Sequence, residues 1–254
     1  MGQIIAIANQ KGGVGKTTTS INLSASLAVA EKRTLLVDLD PQSNASSGVG
    51  IVSENIRNTT YHALLGQVET CDVIADTGIE FLKILPSTTD LIGAEVELIG
   101  ESDRESRLKY VLRQVRDDFD YILIDCPPSL GLLTINALTA ADSVLVPLQC
   151  EYYAMEGLGQ MTRTIDLIQR QLNPALSLRG ILLTMFDGRN NLSHQVSEEI
   201  RRHFAERVFT TVIPRNVRLS EAPSHGLPIL QYDISSRGAE AYLALAREII
   251  NTGT

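Results

Sequence analysis

Along the chain, short runs of consecutive apolar and β-branched residues alternate with longer stretches whose apolar positions recur every three or four residues. Ile4-Ile5-Ala6-Ile7-Ala8 predicts a buried strand, followed by a glycine-rich turn and a helix over about residues 17–30. Leu35-Leu36-Val37 predicts a second strand and Phe81–Leu85 a third. A helix near about 104–116 precedes the strand Tyr121-Ile122-Leu123-Ile124, and one near about 130–140 precedes Ser143-Val144-Leu145-Val146. A helix over about 155–171 leads into Ile181-Leu182-Leu183-Thr184-Met185. Leu192, Val196, Ile200 and Phe204 step by four along one helical face, with Arg201 and Arg202 turned away from it. A strand at Phe209–Ile213 follows, and the last helix is expected to bury Tyr242, Leu243, Ala246, Ile249 and Ile250. The segment 45–79 shows no clear period. Apolar strands alternating with helices predict an α/β fold, a doubly wound, mostly parallel sheet flanked by helices. No repeat, low-complexity tract or Pro/Gly-rich linker divides the chain, so residues 1–254 are expected to form a single domain. Sheets of this kind bind ligands at the carboxyl ends of their strands.

Composition narrows the class. The 254 residues are 44% hydrophobic without a tryptophan, so the core must rest on Ile, Leu, Val and Ala. Cys71, Cys126 and Cys150 are odd in number and lack CxxC spacing, which argues against a disulfide framework or a zinc site and for a reducing compartment. His62, His194, His203 and His225 have no second ligand at metal spacing. Met1-Gly2-Gln3-Ile4 runs straight into a strand, and no apolar run approaches the roughly 18 residues of a membrane span. A soluble, cytoplasmic protein is expected. The net charge of −8 counts against nucleic acid, but its distribution does not. Residues 1–179 hold 22 acidic and 14 basic side chains, whereas residues 180–254 hold 8 of each, and every base there is arginine. Phosphate contacts depend on local potential, so an arginine surface in the last third remains open.

Candidate chemistry begins where the first strand ends, at Lys11-Gly12-Gly13-Val14-Gly15-Lys16-Thr17-Thr18. Glycines let the backbone wrap an anion so that successive N–H groups point at it, and the helix that follows adds its dipole. Such a loop binds a nucleoside triphosphate, with Lys16 reaching the β- and γ-phosphates and the Thr17 hydroxyl binding Mg²⁺. A standard phosphate loop has glycine where this chain has Gln10; in exchange there is a second lysine, Lys11. Without a ligand the stretch would be only a glycine-rich turn, but strand, loop and helix are in register. Two more strands end in carboxylates, Leu36-Val37-Asp38-Leu39-Asp40-Pro41 and Leu123-Ile124-Asp125-Cys126-Pro127. Alone, such an aspartate is more often a cap or turn residue. Beside a phosphate loop, Asp125 fits the Mg²⁺ shell, Asp40 is placed to orient the attacking water, and Asp38 would help the metal shell. Cys126 is read as a small buried residue whose position beside Asp125 could make it redox-sensitive.

KGGVGKTT, VDLDPQ and IDCPPSLG, with Gln149–Gly157 and Val212–Pro223, together resemble the ParA/Soj partition ATPases, P-loop NTPases of the deviant Walker A type. The resemblance covers essentially the whole chain. It implies ATP and Mg²⁺ as cofactors and an ATP-sandwich homodimer in which Lys11 matches the signature lysine that crosses into the partner's site. Pro214 and Asn216 match the loop that contacts adenine. The resemblance further implies ATP-dependent, non-specific double-stranded DNA binding, for which Arg189, Arg215 and Arg218 are the candidates, nucleoid association, and a ParB/Spo0J-type protein that stimulates hydrolysis. The plain alternative for each arginine is that it is solvated or paired with Glu198, Glu199 or Glu221. Tyr152 and Tyr153 are expected to pack or line the dimer face.

Other classes fit less well. A MinD-like membrane-cycling regulator would end in a basic amphipathic helix, whereas this chain ends Asn251-Thr252-Gly253-Thr254 after a helix with Arg247 alone. An iron–sulfur reductase of the nitrogenase iron-protein type would need a cluster-sharing cysteine pair that Cys126 and Cys150 do not match. A scaffold that binds ATP only to dimerise would not need Lys16, Thr17, Asp40 and Asp125 together.

Overall fold

The apolar runs pair into a seven-stranded sheet of order β3-β4-β2-β5-β1-β6-β7 in a computed structural model that describes residues 1–52, 54 and 56–252. Gly253 and Thr254 of the C-terminal tail, and Ser53 and Asn55 of the segment 45–79, lie outside the described residues. The strands are β1 (Gln3–Ile7), β2 (Thr34–Asp38), β3 (Ala75–Asp76), β4 (Leu82–Leu85), β5 (Tyr121–Asp125), β6 (Ser143–Gln149) and β7 (Ser177–Thr184). All neighbours are parallel except β3, a two-residue edge strand antiparallel to β4. The helices are α1 (Lys16–Val29), α2 (Asn44–Gly48), α3 (Thr60–Leu64), α4 (Leu91–Glu97), α5 (Arg107–Arg113), α6 (Leu132–Ala140), α7 (Ala154–Gln171), α8 (Asn191–Phe204), α9 (Val217–Glu221), α10 (Ile229–Tyr232) and α11 (Arg237–Asn251).

Alternation within each strand sorts the core into two layers, one on each face of the sheet. Ile4, Ala6, Leu35, Val37, Ile122, Ile124, Val144 and Val146 face the layer under α4 to α8. Ile5, Ile7, Leu36, Leu123, Leu145 and Leu182 face the layer formed by α1, α9, α10 and α11. Both faces being covered explains why the central strands carry runs of consecutive apolar residues, with polar ones mainly at their ends. The register then sets the site: Ile7 of β1 and Asp38 of β2 both pair with Asp125 of β5. Three loops therefore leave adjacent strands at one carboxyl edge, as the fold class requires.

Several expectations need correction. Phe209–Ile213 is not a strand. Phe209 N and Ile213 N donate to Ile181 O and Leu183 O of β7, but Thr210 N and Thr211 N turn to the Glu248 carboxylate at 2.7 and 3.0 Å. The ladder is interrupted, and the Phe209 ring instead covers Gly180, where a Cβ would lie 2.7 Å from it. Arg201 does not turn away; it folds back to donate to Phe209 O at 3.1 Å. On α8, Val196 and Ile200 are buried while Leu192 is exposed. On α11, Leu245 takes the buried place expected of Leu243, and Ile250 is half-buried. Phe81 and Met185, expected inside strands, lie beyond them with φ of 64° and 50°.

Candidate active site

Between β1 and α1 the chain makes the anion-wrapping turn that the sequence predicts. Gly13 and Gly15 have φ of 74° and 86°, a region closed to most side chains, and Gly15 is the N-cap residue of α1. The loop is braced from three sides. Asn9 Nδ2 donates to Pro147 O at 2.7 Å while its Oδ1 accepts from Lys11 N at 3.0 Å. Thr184 Oγ1 donates to Val14 O at 2.8 Å. Gln10, which replaces the usual glycine, reaches Thr164 of α7 at 3.2 Å. Lys16 is buried, and its ammonium donates to Lys11 O at 3.0 Å. Burial lowers its pKa, against which the charges of Asp125 and Asp40 act.

The three carboxylates at this edge have different surroundings. Asp125 is fully buried; Ser20 Oγ donates to its Oδ1 at 2.8 Å, whereas Oδ2 has no hydrogen-bond partner. Burial, and then the Asp38 charge, push its pKa up to about 8, and the Ser20 and Thr17 hydroxyls oppose this. A buried carboxylate oxygen left unpaired near a threonine hydroxyl fits the oxygen donors of a hydrated magnesium ion, and the nearby Lys16 ammonium offers its charge to phosphate instead. Asp38 is also fully buried, but both its oxygens are engaged: Oδ1 accepts from Asp40 N at 3.2 Å, and Oδ2 accepts from Ser46 N and Ser46 Oγ, each at 2.7 Å. Burial raises its pKa to about 6 despite the Ser46 bonds. Asp40 uses Oδ1 to hold Gln42 N at 2.9 Å and lines the cleft.

A cleft of ≈ 300 Å³ runs over this edge, lined by the loop from Gly12 to Thr18 together with Asp40, Gln42 and Pro128. Gly15, Thr18 and Met185 also line a second cleft of ≈ 490 Å³, whose far wall is Ile213, Pro214, Arg215 and Asn216. Phosphate donors at one end and a mainly apolar slot at the other have the layout of a nucleotide site. Asn216 caps α9 through Oδ1, which accepts from Arg218 N at 2.8 Å, leaving its amide nitrogen for a ligand.

Lys11 stands apart from the phosphate donors: its ammonium is exposed and ion-paired with Glu151. The arginines divide. Arg189, 90% exposed, is gripped by Asp187 through two bonds of 3.0 and 2.9 Å, which hold the Asp187 pKa down at about 2. Arg215 is exposed and in no ion pair among the described residues, yet lines one cleft with Arg189. Arg218 turns to Glu221 at 2.9 Å and Asp233 at 3.5 Å. Sequence reasoning missed Arg237, which joins Arg189 and Arg215 in that cleft. It also missed Ser20, Ser46 and Ser87, serines without a motif; only Ser20, one helical turn after Lys16, carried a signal. Cys126 is buried and its thiol is pushed up by burial and by Asp125, which removes the thiolate that redox sensitivity needs.

A family model described as an AAA domain matches residues 2–178. The chain is 60% identical over 254 residues to "Chromosome partitioning protein ParA" of Myxococcus xanthus, covering all of this chain and 90% of that one. It is 58% identical over 253 residues to "Sporulation initiation inhibitor protein Soj" of Bacillus subtilis, with both chains fully covered. Among solved structures, a cobyrinic acid a,c-diamide synthase from Mycobacterium smegmatis with bound ATP analog and magnesium superposes with a TM-score of 0.87. That pair is 39% identical, and the match covers 100% of this chain and 96% of the other.

Proposed function

Because the chain belongs to the ParA/Soj family of partition ATPases, we propose that it is an ATP-dependent switch that partitions DNA, its ATP-bound dimer holding non-specific duplex DNA until a ParB/Spo0J-type protein stimulates hydrolysis. ATP is the substrate. The backbone N–H groups of residues 12–18 and the Lys16 ammonium bind its β- and γ-phosphates. Thr17 and Asp125 would hold the metal, whereas Asp38, expected in its shell, has both oxygens taken by Asp40 N and Ser46 and keeps the neighbouring loop in place. Bound Mg²⁺ supplies positive charge to the phosphate oxygens. Asp40 orients the attacking water. Lys11 leaves Glu151 and crosses to a second subunit, where an added cation stabilises the transferring phosphoryl group and ties turnover to dimerisation. No helix among the described residues is long and apolar enough to cross a membrane, and the nucleoid is the proposed location.

One observation carries the link between nucleotide and DNA: Pro214 and Arg215 line both the nucleotide cleft and the arginine cleft. A loop that closes on the base therefore also moves a cation offered to phosphate. Binding to random-sequence duplex with ATP, ADP or no nucleotide, at two salt concentrations, tests this. Binding that needs ATP and weakens steeply with salt is expected; equal affinity in all three states would sink the coupling, and no binding would remove DNA altogether. Lys11→Ala is expected to abolish ATP-driven dimerisation in sedimentation, and an intact dimer would refute the trans role.

A further inference from the structure

α4 has apolar residues on two faces, and only one of them is used. Leu91, Ala94 and Leu98 are buried in the core, while Ile92, Val96 and Ile99, spaced i, i+4 and i+7, are 58%, 66% and 63% exposed. Ile99 lies in the single 3₁₀ turn that continues the helix. A three-residue aliphatic stripe in water is unfavourable unless something covers it. Its rim is mainly acidic: residues 88–103 contain Asp90, Glu95, Glu97, Glu101 and Asp103 and no lysine or arginine, although at the C-terminal end Arg104 folds in to donate to Ile99 O at 2.7 Å. Of these, only Glu101 forms an ion pair among the described residues, with Arg107.

The same helix is tied to both carboxylate loops. It follows β4 through Pro86-Ser87, and Ser87 Oγ donates to Asp40 O at 2.9 Å while Ser87 N donates to Ser46 Oγ at 3.0 Å. Ser46 in turn holds Asp38. On its other side, Glu95 packs against the loop after Asp125, where a Cβ on Gly131 would lie 2.5 Å from its carboxylate. Pressure on α4 therefore reaches the loop that carries Asp40 through buried hydrogen bonds, without any contact to the nucleotide.

We propose that the exposed face of α4 is the docking site for a basic amphipathic segment of the stimulating partner protein, whose aliphatic side chains cover Ile92, Val96 and Ile99 and whose cations meet Asp90, Glu95 and Glu97. The identity of the partner rests on the function proposed above; the location and chemistry of the surface do not. Apolar burial supplies the affinity and the acidic rim excludes acidic partners and sets orientation.

Two probes used on the whole 254-residue chain separate the two questions. The first is a synthetic amphipathic helical peptide with leucine on one face and lysine on the other. It is expected to bind the wild-type protein at least 10-fold tighter than the Ile92→Ser/Val96→Ser variant, and at least 10-fold tighter than the same peptide carrying glutamate for lysine. Equal binding to wild type and variant overturns the site. The second probe is the ParB/Spo0J-type protein, read by ATP turnover. The variant is expected to keep basal turnover and lose most of the stimulation, whereas stimulation of both proteins alike overturns the site. If neither is stimulated, the ParB/Spo0J-type partner falls and the peptide result alone decides the surface. A photo-crosslinker at position 96 that captures only a second copy of this chain, in the presence of the partner, would make the face a dimer contact and also overturn the proposal.

Discussion

The carboxylate edge at the ends of β2 and β5 and the arginine loops between residues 186 and 237 handle charge in opposite ways. At the first, Asp38, Asp125 and Lys16 are buried, and the pKa values of both aspartates are driven up by desolvation. At the second, Arg189 and Arg218 are exposed and each is held by a carboxylate a few residues away. A buried charge without full compensation costs several kcal/mol in general, so the first region relieves it by protonating a carboxylate or by binding a ligand, a cation at the aspartates and phosphate at Lys16. An exposed pair is worth about 0–1 kcal/mol, so the second can exchange an internal carboxylate for an external phosphate at little cost. One region suits a ligand held tightly in one geometry; the other suits the proposed duplex DNA, taken and released.

The sharpest way to test the first half of that contrast is Asp40→Ala. Asp40 lines the cleft and its carbonyl is fixed by Ser87, so its removal should leave the phosphate cradle standing. Single-turnover hydrolysis is expected to fall by ~10²-fold or more with nucleotide affinity within a few-fold of wild type. Turnover close to wild type would move the catalytic role elsewhere.

A smaller effect probes the cost of burial directly. The folded pKa of Asp125, about 8, lies above its unfolded value near 3.8, and that of Asp38, about 6, does too. The folded state therefore binds more protons than the unfolded one between these values, and the unliganded protein should lose stability as pH rises from about 4 through 8. Asp125→Asn should flatten this slope in urea melts and raise stability at pH 8. Mg²⁺ with ATP should flatten it in the wild type by favouring the charged carboxylate. A pH-independent midpoint for the unliganded wild type would show that water already reaches Oδ2.

How far each region is visible in sequence follows from the same contrast. Buried charge at a strand end is a local pattern, so Val37-Asp38 and Ile124-Asp125 announce themselves, and the parallel strand order then places both beside the phosphate loop. The serine scaffold does not, because Ser46 and Ser87 are 41 residues apart and meet only through the fold. The segment 45–79 defeats periodicity for a related reason: α2, α3 and β3 span five, five and two residues, too short for a pattern. Phe209–Ile213 has the composition of a strand, but Glu248 takes the amides that would have made the ladder. On α4, a second apolar stripe blurs the face that packs. The arginines were legible as the only bases of the last third, yet which of them remain unpaired was not, since Asp187, Glu221 and Asp233 decide it through side-chain geometry.

That last difference yields the most delicate test of the second half of the contrast. Arg215 carries no ion pair among the described residues, whereas Arg218 must leave both Glu221 and Asp233 before it can meet a phosphate. Arg189 must likewise leave Asp187, although the two-residue spacing lets the pair reform as soon as DNA departs. Removing one phosphate-binding cation should reduce the salt slope of DNA binding by about 1. Arg215→Ala is therefore expected to weaken ATP-dependent DNA binding several-fold and lower the slope by about one. Arg218→Ala should do so by less, because the exchange of partners already offsets part of the gain. Asp187→Asn should strengthen binding about two- to three-fold, in line with the small worth of an exposed pair. If Arg218→Ala is instead the most damaging of the three, the internal pairs are not competitors of DNA but the scaffold that aims the loop, and the second region is as preorganised as the first.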